Sequence, residues 1–274
     1  MAQNKYGSRQ TPMQSRIAKA TGQSRGMAGV FGRTRRDAYN GFRRKSNGGM
    51  GGLIMSNLLF DPIKTQASVT DSVIVGFSGG KDSIVTLDLC VRYFKRVVPF
   101  FMYLVPDLEF QERMLKRYED KYGIEIIRLP HFECSNFLKY GSFTMFDPNV
   151  DIVGITDTYE YLRQRTGIHW IAAGERCADS IVRNAMIKQS GSIDYKRGRF
   201  YPIAYWNKQE VLQYIKYKKL YLSPEQKKIG FSFRSLAGCE LATIKNMYPA
   251  DYEKILKVYP FAGAAVERFE KYGK

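Results

Sequence analysis

A glycine-rich loop between two regular elements constrains the fold of this chain more than any other feature of its sequence. Val73–Phe77 is a short apolar run rich in β-branched residues, which predicts a buried strand of a parallel sheet. The hexad Ser-Gly-Gly-Lys-Asp-Ser follows at residues 78–83. After it, Ile84, Leu87 and Val91 recur at the spacing of one helix face. A strand, a glycine loop and a helix in this order favour an α/β fold.

The backbone of this loop is suited to an anion, although the loop is not a Walker A motif. That motif has four residues between its first glycine and its Gly-Lys pair, and a Ser or Thr after the lysine. Here three residues separate Gly76 from Gly80, and Asp82 follows Lys81. Gly79 and Gly80 still let the backbone approach a phosphate, and the following helix presents its positive N-terminal end. We therefore predict a phosphate-binding loop of a different type.

The side chains of the loop add specific contacts. Ser78 and Ser83 carry hydroxyls that can donate to phosphate oxygens, and Lys81 adds a full positive charge. Asp82 has two candidate roles, as a ligand of Mg²⁺ or as a cap of the helix. Lys81 and Asp82 are accordingly the candidate catalytic residues of the loop.

Alternating strands and helices continue beyond the loop and predict a doubly wound, mostly parallel sheet. Strands are expected at 97–104, 124–129 and 168–173, and helices at 109–122, 180–188 and 206–220. Asn207 is in place to cap the last of these helices. We assign residues 56–220 to the α/β domain and residues 221–274 to a helical C-terminal extension packed on it.

The first 55 residues differ in composition from the rest. The formal net charge of the chain is +17, and residues 1–50 carry eleven basic side chains against one acid, Asp37. Few of their side chains are aliphatic, so the segment cannot bury enough surface to offset the entropy of ordering. We predict a disordered basic arm over residues 1–55. It either binds nucleic acid through counterion release, or is a solvated tail that aids solubility or holds a partner protein.

Cysteine usage and hydropathy indicate the compartment. The four cysteines, Cys90, Cys134, Cys177 and Cys239, lie far apart without a C-x-x-C pair, so we expect no zinc ribbon and no iron–sulfur cluster. No apolar run reaches the ~20 residues of a membrane span, and the N-terminus lacks the uncharged apolar region of a secretory signal. We expect a cytoplasmic protein without a membrane partner.

The loop resembles the signature of a known superfamily. Ser-Gly-Gly-x-Asp-Ser between a strand and a helix is typical of the PP-loop ATP pyrophosphatases, or adenine nucleotide alpha-hydrolases, and residues 78–83 match it fully. Residues 174–183 and 199–215 are similar to two segments of the phosphoadenosine phosphosulfate (PAPS) reductase family within that superfamily. The chain also looks like the divergent, stand-alone members common in bacteriophage genomes, for which the host cytoplasm is the expected location.

This resemblance implies roles for residues of two segments. It implies that the phosphates of an adenine nucleotide, ATP or PAPS, are bound by Ser78, Gly79, Gly80, Lys81, Asp82 and Ser83. It also implies that Gly174, Arg176 and Arg183 face the nucleotide from the fourth strand. The two arginines have a helix-surface role as their alternative. Arg176 is the stronger candidate, because it lies in a loop and its guanidinium fork suits phosphate oxygens.

The chain departs from the reductase pattern at the nucleophile. The resemblance implies a cysteine in a Glu-Cys-Gly-x-His segment that attacks the sulfate sulfur. This chain instead has Ala-Gly-Cys-Glu-Leu-Ala, with Cys239 before the glutamate and no histidine nearby. Cys239 is either a nucleophile on a mobile tail, with a thioredoxin-like protein as reductant, or a packing residue.

A single histidine lies at the end of a predicted strand. His131 follows Pro130 at the edge of the sheet where α/β folds bind their ligands. It is a candidate general acid–base or phosphate contact. The alternative is a structural hydrogen-bonding role, which is the commoner one for a lone histidine.

Two functions fit these observations. The first is an enzyme that binds ATP or PAPS and acts at the α-phosphate or an attached sulfate, by adenylylation, sulfur transfer or sulfate reduction. A nucleic-acid substrate would suit the basic arm of such an enzyme. The second is a non-catalytic nucleotide-binding regulator, or a virion or nucleic-acid-associated protein, that uses the arm. The complete hexad favours the enzyme, because a loop freed from catalysis need not keep those side chains.

Overall fold

A mostly parallel β-sheet organises the part of the chain that the structure describes. The structure is a computed structural model, and it describes residues 57–230 and 232–273. The strands in these residues are β1 Ser72–Gly76, β2 Arg96–Tyr103, β3 Ile127–Pro130, β4 Ile171–Ala172, β5 Ile193–Asp194 and β6 Arg199–Phe200. They pair in the order β3-β2-β1-β4-β6-β5, and all pairs are parallel except β5 with β6. The predicted α/β fold with a mostly parallel sheet is confirmed.

Helices connect these strands and form the C-terminal region. The α-helices within the described residues are α1 Asp61–Ala67, α2 Lys81–Tyr93, α3 Glu109–Tyr122, α4 Glu133–Tyr140, α5 Ile155–Thr166, α6 Ile181–Ser190, α7 Lys208–Tyr217, α8 Pro224–Ile229, α9 Gly238–Met247, α10 Pro249–Val258 and α11 Gly263–Tyr272. Short 3-10 helices lie at Asn57–Phe60 and Pro260–Ala262. Helices α2 and α3 connect the three parallel strands β1 to β3. Helices α8 to α11 confirm that the C-terminal region is helical.

The strand before the glycine loop is buried on both faces. Val73, Ile74 and Val75 are fully buried, as expected for a central parallel strand whose faces are covered by helices. On α2, Ile84 and Leu87 are also fully buried and anchor the start of the helix. The loop between β1 and α2 is therefore anchored on both sides by buried residues.

The start of α3 is capped by a side chain from the C-terminal region. Its own N-cap residue, Leu108, supplies no side-chain hydrogen bond. The carboxylate of Asp251 on α10 instead accepts from the backbone N–H of Glu109 at 2.9 Å and of Phe110 at 3.0 Å. The ring of Phe110 stacks on Tyr248, with ring centroids 5.0 Å apart. The C-terminal helices thus fix the helix that follows β2.

Two strands differ from the prediction at their ends. The expected strand at 168–173 is reduced to Ile171–Ala172, whose two residues pair with β1 on one side and with the two residues of β6 on the other. The expected strand at 124–129 begins later, at Ile127, and includes Pro130. β3 is the edge strand of the sheet. Pro130 has no backbone N–H, and an edge strand tolerates a proline whose nitrogen faces away from the neighbouring strand.

Helix prediction succeeded where the signal was local. Helix α3 has the predicted bounds, and Asn207 caps α7, its side chain accepting from the N–H of Glu210 at 3.0 Å. Helix α4 was not predicted, because it is only eight residues long and a helix is identified by apolar periodicity over a longer window. None of the helices in the described part of the chain is both long and apolar enough to cross a membrane. The predicted basic arm over residues 1–55 lies outside the described residues.

Candidate functional site

The glycine loop lies where the strand order of the sheet reverses. β1 has β2 on one side and β4 on the other, and the three strands are parallel. The chain leaves β1 toward β2 and β3 and later returns to β4 on the opposite side. At such a switch point the loops after the two central strands diverge and form a crevice at the carboxyl edge of the sheet. Residues 77–80 after β1 and 173–176 after β4 lie at this edge.

Hydrogen bonds between two serines shape the loop. The hydroxyl of Ser83 accepts from the backbone N–H of Ser78 at 3.2 Å and donates to the carbonyl of Gly80 at 2.9 Å. The hydroxyl of Ser78 donates to the Oγ of Ser83, also at 3.2 Å. Ser83 is buried, whereas Ser78 is exposed. Ser83 therefore holds the loop from within, and Ser78 presents its hydroxyl at the surface.

Gly79 is favoured by its conformation, and it lies against the flexible end of the Met114 side chain. Its φ of +72° lies in the left-handed region that side chains other than glycine rarely adopt. A Cβ at this position would overlap the end of Met114 on α3. Its carbonyl accepts a hydrogen bond from the Nε2 of Gln226 on α8 at 2.8 Å. The loop is thus held between α3 and α8.

A chain of charges joins the loop to the segment after β4. The Nζ of Lys81 lies 2.6 Å from one carboxylate oxygen of Asp82. The other oxygen lies 2.8 Å from the Nε of Arg176, although the two are not aligned as a hydrogen bond. The guanidinium of Arg176 also contacts Asp179 at 2.5 Å and the carbonyl of Trp206 at 3.4 Å. Arg176 is only 4% exposed, so these contacts are shielded from water.

This geometry decides one of the two roles considered for Asp82. The N-cap position of α2 is Gly80, and both oxygens of Asp82 contact cations, so the prediction of a helix cap is wrong. Among the described residues, no group of three or more His, Cys, Asp or Glu side chains could hold a metal ion. Mg²⁺ at a nucleotide site is usually bound by one or two carboxylates together with phosphates. Ligation of Mg²⁺ by Asp82 together with nucleotide phosphates therefore stays a prediction.

The other predicted residues of the segment after β4 lie beside the same charge network. A Cβ on Gly174 would lie 3.1 Å from the carbonyl carbon of Asp82 and 3.2 Å from the backbone nitrogen of Ser83, so a glycine is needed for this close approach. The guanidinium of Arg183 lies 3.3 Å from Asp179. Nucleotide contact by Gly174, Arg176 and Arg183 stays a prediction.

His131 lies at the carboxyl edge of the sheet but away from the loop. β3 is separated from β1 by β2, and neighbouring strands are about 4.8 Å apart, so His131 lies roughly 10 Å to one side. Its Nδ1 accepts from the N–H of Glu133 at 3.3 Å, and its ring stacks on Phe132. Burial lowers the pKa of His131, partly opposed by the charge of Glu133. A catalytic role for His131 stays a prediction.

Cys239 lines a different cavity from the one beside the loop. It is exposed on the first turn of α9, in a cavity of about 420 Å³ whose walls include Lys228, Asn246 and Phe269. A smaller cavity of about 10 Å³, room for about one water, lies beside Ser78. The two cavities share no lining residue. No residue of the loop lines the cavity of Cys239, and a nucleophilic role for Cys239 stays a prediction.

Sequence analysis missed the residues that the C-terminal region brings to the loop. The small cavity beside Ser78 is also lined by Ser223, Ser232 and Phe233, and Gln226 bonds to Gly79 across 147 positions of sequence. Gln226 lies on a short helix and the two serines lie outside helices, and polar side chains in such places are typical of a solvated surface, so no local pattern identifies them. The left-handed glycine was the one local signal that another segment packs closely here.

Comparisons with known proteins were made with the sequence and with the structure. A model of the phosphoadenosine phosphosulfate reductase domain matches residues 72–243. Solved structures similar to this chain include the U34-tRNA thiolase NcsA from Methanococcus maripaludis with its 4Fe–4S cluster, at 16% identity and TM-score 0.41 over 89% of this chain and 82% of that one. The NH3-dependent NAD synthetase from Campylobacter jejuni in complex with the nitrate ion matches at 16% identity and TM-score 0.39, over 79% of this chain and 93% of that one. The curated proteins include no match.

Proposed function

This chain belongs to the phosphoadenosine phosphosulfate reductase domain family, and we propose that its glycine loop binds an adenine nucleotide and directs chemistry at the α-phosphate. The observation that supports this most is the position of residues 78–83, at the start of α2 and at the switch point of the sheet. The proposed reaction is transfer of the adenylyl group of ATP to an acceptor, with release of pyrophosphate.

The N-terminus of α2 supplies the anion site in this proposal. The N-cap residue Gly80 has an extended backbone and no side chain, so no side-chain cap occupies the first N–H groups of the helix. Such N–H groups and the helix dipole both favour a phosphate at this end. Ser78 is exposed, and its hydroxyl would add a further donor if it exchanged its hydrogen bond to Ser83 for one to a phosphate oxygen.

The pairing of Asp82 with Arg176 makes Lys81 available to a phosphate. Asp82 contacts both cations, at 2.6 Å and 2.8 Å. Because Arg176 balances the carboxylate, Lys81 can turn toward a phosphate without leaving an unpaired charge in a shielded place. Lys81 and the α2 N-terminus would then share the charge of the bound nucleotide.

These groups would act by stabilising the leaving group. An oxygen of the acceptor attacks the α-phosphorus, and the bond from that phosphorus to the bridging oxygen breaks. The electron pair leaves with pyrophosphate, whose developing charge meets Lys81 and the N–H groups of α2. A sulfur or nitrogen nucleophile then displaces AMP from the acceptor. A nucleic-acid acceptor would match the basic arm.

Sulfate reduction is the second candidate. The family match includes Cys239, and its thiol is exposed. In this reaction the thiolate attacks the sulfate sulfur of PAPS, the bond from sulfur to the nucleotide oxygen breaks, and a thioredoxin-like dithiol then releases sulfite. The first candidate is favoured because Cys239 lines a cavity separate from the loop.

Nucleotide binding and product formation test the proposal together. Calorimetric titration of the full chain with ATP is expected to show binding that Lys81→Ala weakens about tenfold or more, since a charged hydrogen bond contributes roughly 1.5–3 kcal/mol. Lys95→Ala is the matched control. Lys95 precedes β2 and pairs with Asp71 at the opposite edge of the sheet, so ATP affinity should not change.

The products distinguish the two candidates. Release of pyrophosphate from labelled ATP that is lost in Lys81→Ala but retained in Cys239→Ser would support adenylylation. Release of sulfite from PAPS that depends on thioredoxin and is lost in Cys239→Ser would favour sulfate reduction. In that case ATP should release no pyrophosphate, and the proposal of adenylylation would be wrong. Equal ATP affinity of the wild type and Lys81→Ala would refute the assignment of the loop.

A further inference from the structure

The exposed charges of residues 205–230 are all positive. This stretch carries six lysines and two glutamates, whereas the other described residues carry 25 basic and 23 acidic side chains. The six lysines, called the lysine segment below, are Lys208, Lys216, Lys218, Lys219, Lys227 and Lys228. Five of them are exposed and Lys218 is half-exposed. Most of the positive excess of the described residues is therefore concentrated in this stretch.

The two acids of the stretch are buried and already hydrogen-bonded. Glu210 is 2% exposed and accepts from the N–H of Asn207 at 2.6 Å. Glu225 is 5% exposed and accepts from the hydroxyl of Tyr248 at 2.9 Å. Neither carboxylate can neutralise a surface lysine without leaving its present partner.

The lysine segment has no carboxylate partner within the described part of the chain. None of its six ammonium groups lies within ion-pair distance of an Asp or Glu there. Elsewhere, two exposed lysines are paired, Lys95 with Asp71 and Lys116 with Asp120. Like charges within one short stretch of chain and without counter-charges create a positive potential that attracts a polyanion.

Aromatic rings among these lysines indicate which polyanion fits. Tyr205 and Tyr217 are 40% and 57% exposed. The Nζ of Lys218 lies 5.0 Å from the ring centroid of Tyr217, so a cation stands beside an exposed ring. Proteins that bind single strands combine cations for the phosphates with aromatic rings on which bases stack. A membrane surface fits less well, since Leu212 is the only exposed large aliphatic side chain of residues 205–230.

We propose that the lysine segment binds single-stranded nucleic acid. One end of the segment reaches the glycine loop, because Gln226, next to Lys227, donates to the carbonyl of Gly79 at 2.8 Å. A strand bound along the segment would pass the edge of the candidate nucleotide site. This surface is distinct from the predicted basic arm, and strand binding does not depend on the nucleotide chemistry proposed above.

Fluorescence anisotropy with a labelled single-stranded RNA oligonucleotide tests this surface in the full chain, without nucleotide. The segment variant combines Lys216→Gln, Lys218→Gln, Lys219→Gln and Lys227→Gln. The matched control removes the same charge from exposed lysines outside the segment and combines Lys64→Gln, Lys95→Gln, Lys116→Gln and Lys257→Gln. The basic arm is intact in both variants, and thermal melting shows that both are folded.

The segment variant is expected to bind the strand at least about tenfold more weakly than the control. The slope of log affinity against log salt should fall in magnitude by up to about 3, because each single-strand phosphate contact contributes about 0.7. Equal losses in the two variants would overturn the proposal, as would a loss seen with duplex RNA or phosphatidylserine vesicles but not with the single strand. Strand binding is measured without nucleotide, so failure of the nucleotide chemistry is a separate result.

Discussion

The guanidinium of Arg176 lies 2.8 Å from the carboxylate of Asp82 and ties the segment after β4 to the first turn of α2. The same guanidinium contacts Asp179 at 2.5 Å. The two sides of the switch-point crevice are therefore joined by a buried arginine between two carboxylates. Most N–H groups of the Arg176 guanidinium already contact other groups of the protein. Contacts to a nucleotide would therefore come from neighbouring groups, chiefly Lys81 and the N-terminus of α2.

Arg176→Met is expected to lower the free energy of unfolding by about 3 kcal/mol, because Asp82 and Asp179 would both lose their buried cation and keep only the more exposed Lys81 and Arg183 as partners. Urea denaturation measures the change. Arg183→Met is the matched control: Arg183 is a half-exposed partner of the same Asp179 and should cost less than about 1 kcal/mol. Similar losses of unfolding free energy in the two variants would contradict the role of Arg176 as the buried link between Asp82 and Asp179.

Gly79→Ala is expected to destabilise the chain more than Gly123→Ala. Both glycines have a positive φ, +72° and +63°, and alanine in that region costs about 1–2 kcal/mol. A Cβ on Gly123 meets nothing within 4 Å, whereas one on Gly79 overlaps Met114 and disturbs the loop. Denaturation should show the extra cost, and ATP affinity should fall only in Gly79→Ala. Equal effects would mean that the contact with Met114 does not shape the loop.

Asp251→Asn is expected to weaken the fold in a pH-dependent way. Burial alone raises the pKa of Asp251, but the N–H donors of Glu109 and Phe110 and the ammonium of Lys254 outweigh it, so the pKa is lowered. A carboxyl group whose pKa is lowered in the folded state stabilises that state at neutral pH and loses the effect as pH falls through its folded pKa. At pH 7 the variant should lose about 1–2 kcal/mol.

The difference between Asp251→Asn and the wild type should narrow below about pH 4, where the unfolded carboxyl group also takes up its proton. Denaturation at several pH values measures this. Asp120→Asn on the exposed face of α3 is the control, and its pair with Lys116 is worth roughly 0.5 kcal/mol or less. A difference for Asp251→Asn that stays constant between pH 7 and pH 3 would contradict the cap.

Cys239 should react with iodoacetamide in the native protein while Cys90 does not. Cys239 is exposed, whereas Cys90 is fully buried and burial raises the pKa of its thiol. Mass spectrometry of peptides from native and denatured protein measures the modification. Protection of Cys239 by PAPS but not by ATP would favour sulfate reduction over adenylylation, and modification of native Cys90 would contradict its burial.

Features set by neighbours in sequence could be predicted. The bounds of α3, the cap of α7 by Asn207 and the buried strand at 73–75 follow from periodicity and capping patterns that extend over a few residues. The resemblance to the PAPS reductase family is confirmed by the match over residues 72–243. Strand lengths were less predictable, because a strand extends only as far as it pairs with its neighbours. Ile171–Ala172 pairs with only two residues of β6, which lies distant in sequence.

Contacts between distant segments could not be predicted. Asp251 caps a helix 141 positions away, and Gln226 bonds to the loop across 147 positions. The side chains of both residues look like ordinary surface groups in their own helices. Their partners are decided by which helices pack together, and no local pattern encodes that.

The amino-acid sequence by itself determined the type of the loop, because the left-handed glycine, the hydroxyls and the helix start that bind an anion are all within six residues. The tertiary structure decided what each charged group faces. Asp82 meets Arg176 only because β4 lies beside β1, and the lysine segment is uncompensated only because Glu210 and Glu225 are buried. An ion pair or a hydrogen bond needs contact within a few ångströms, and for residues far apart in sequence only the packing of the chain brings about that contact.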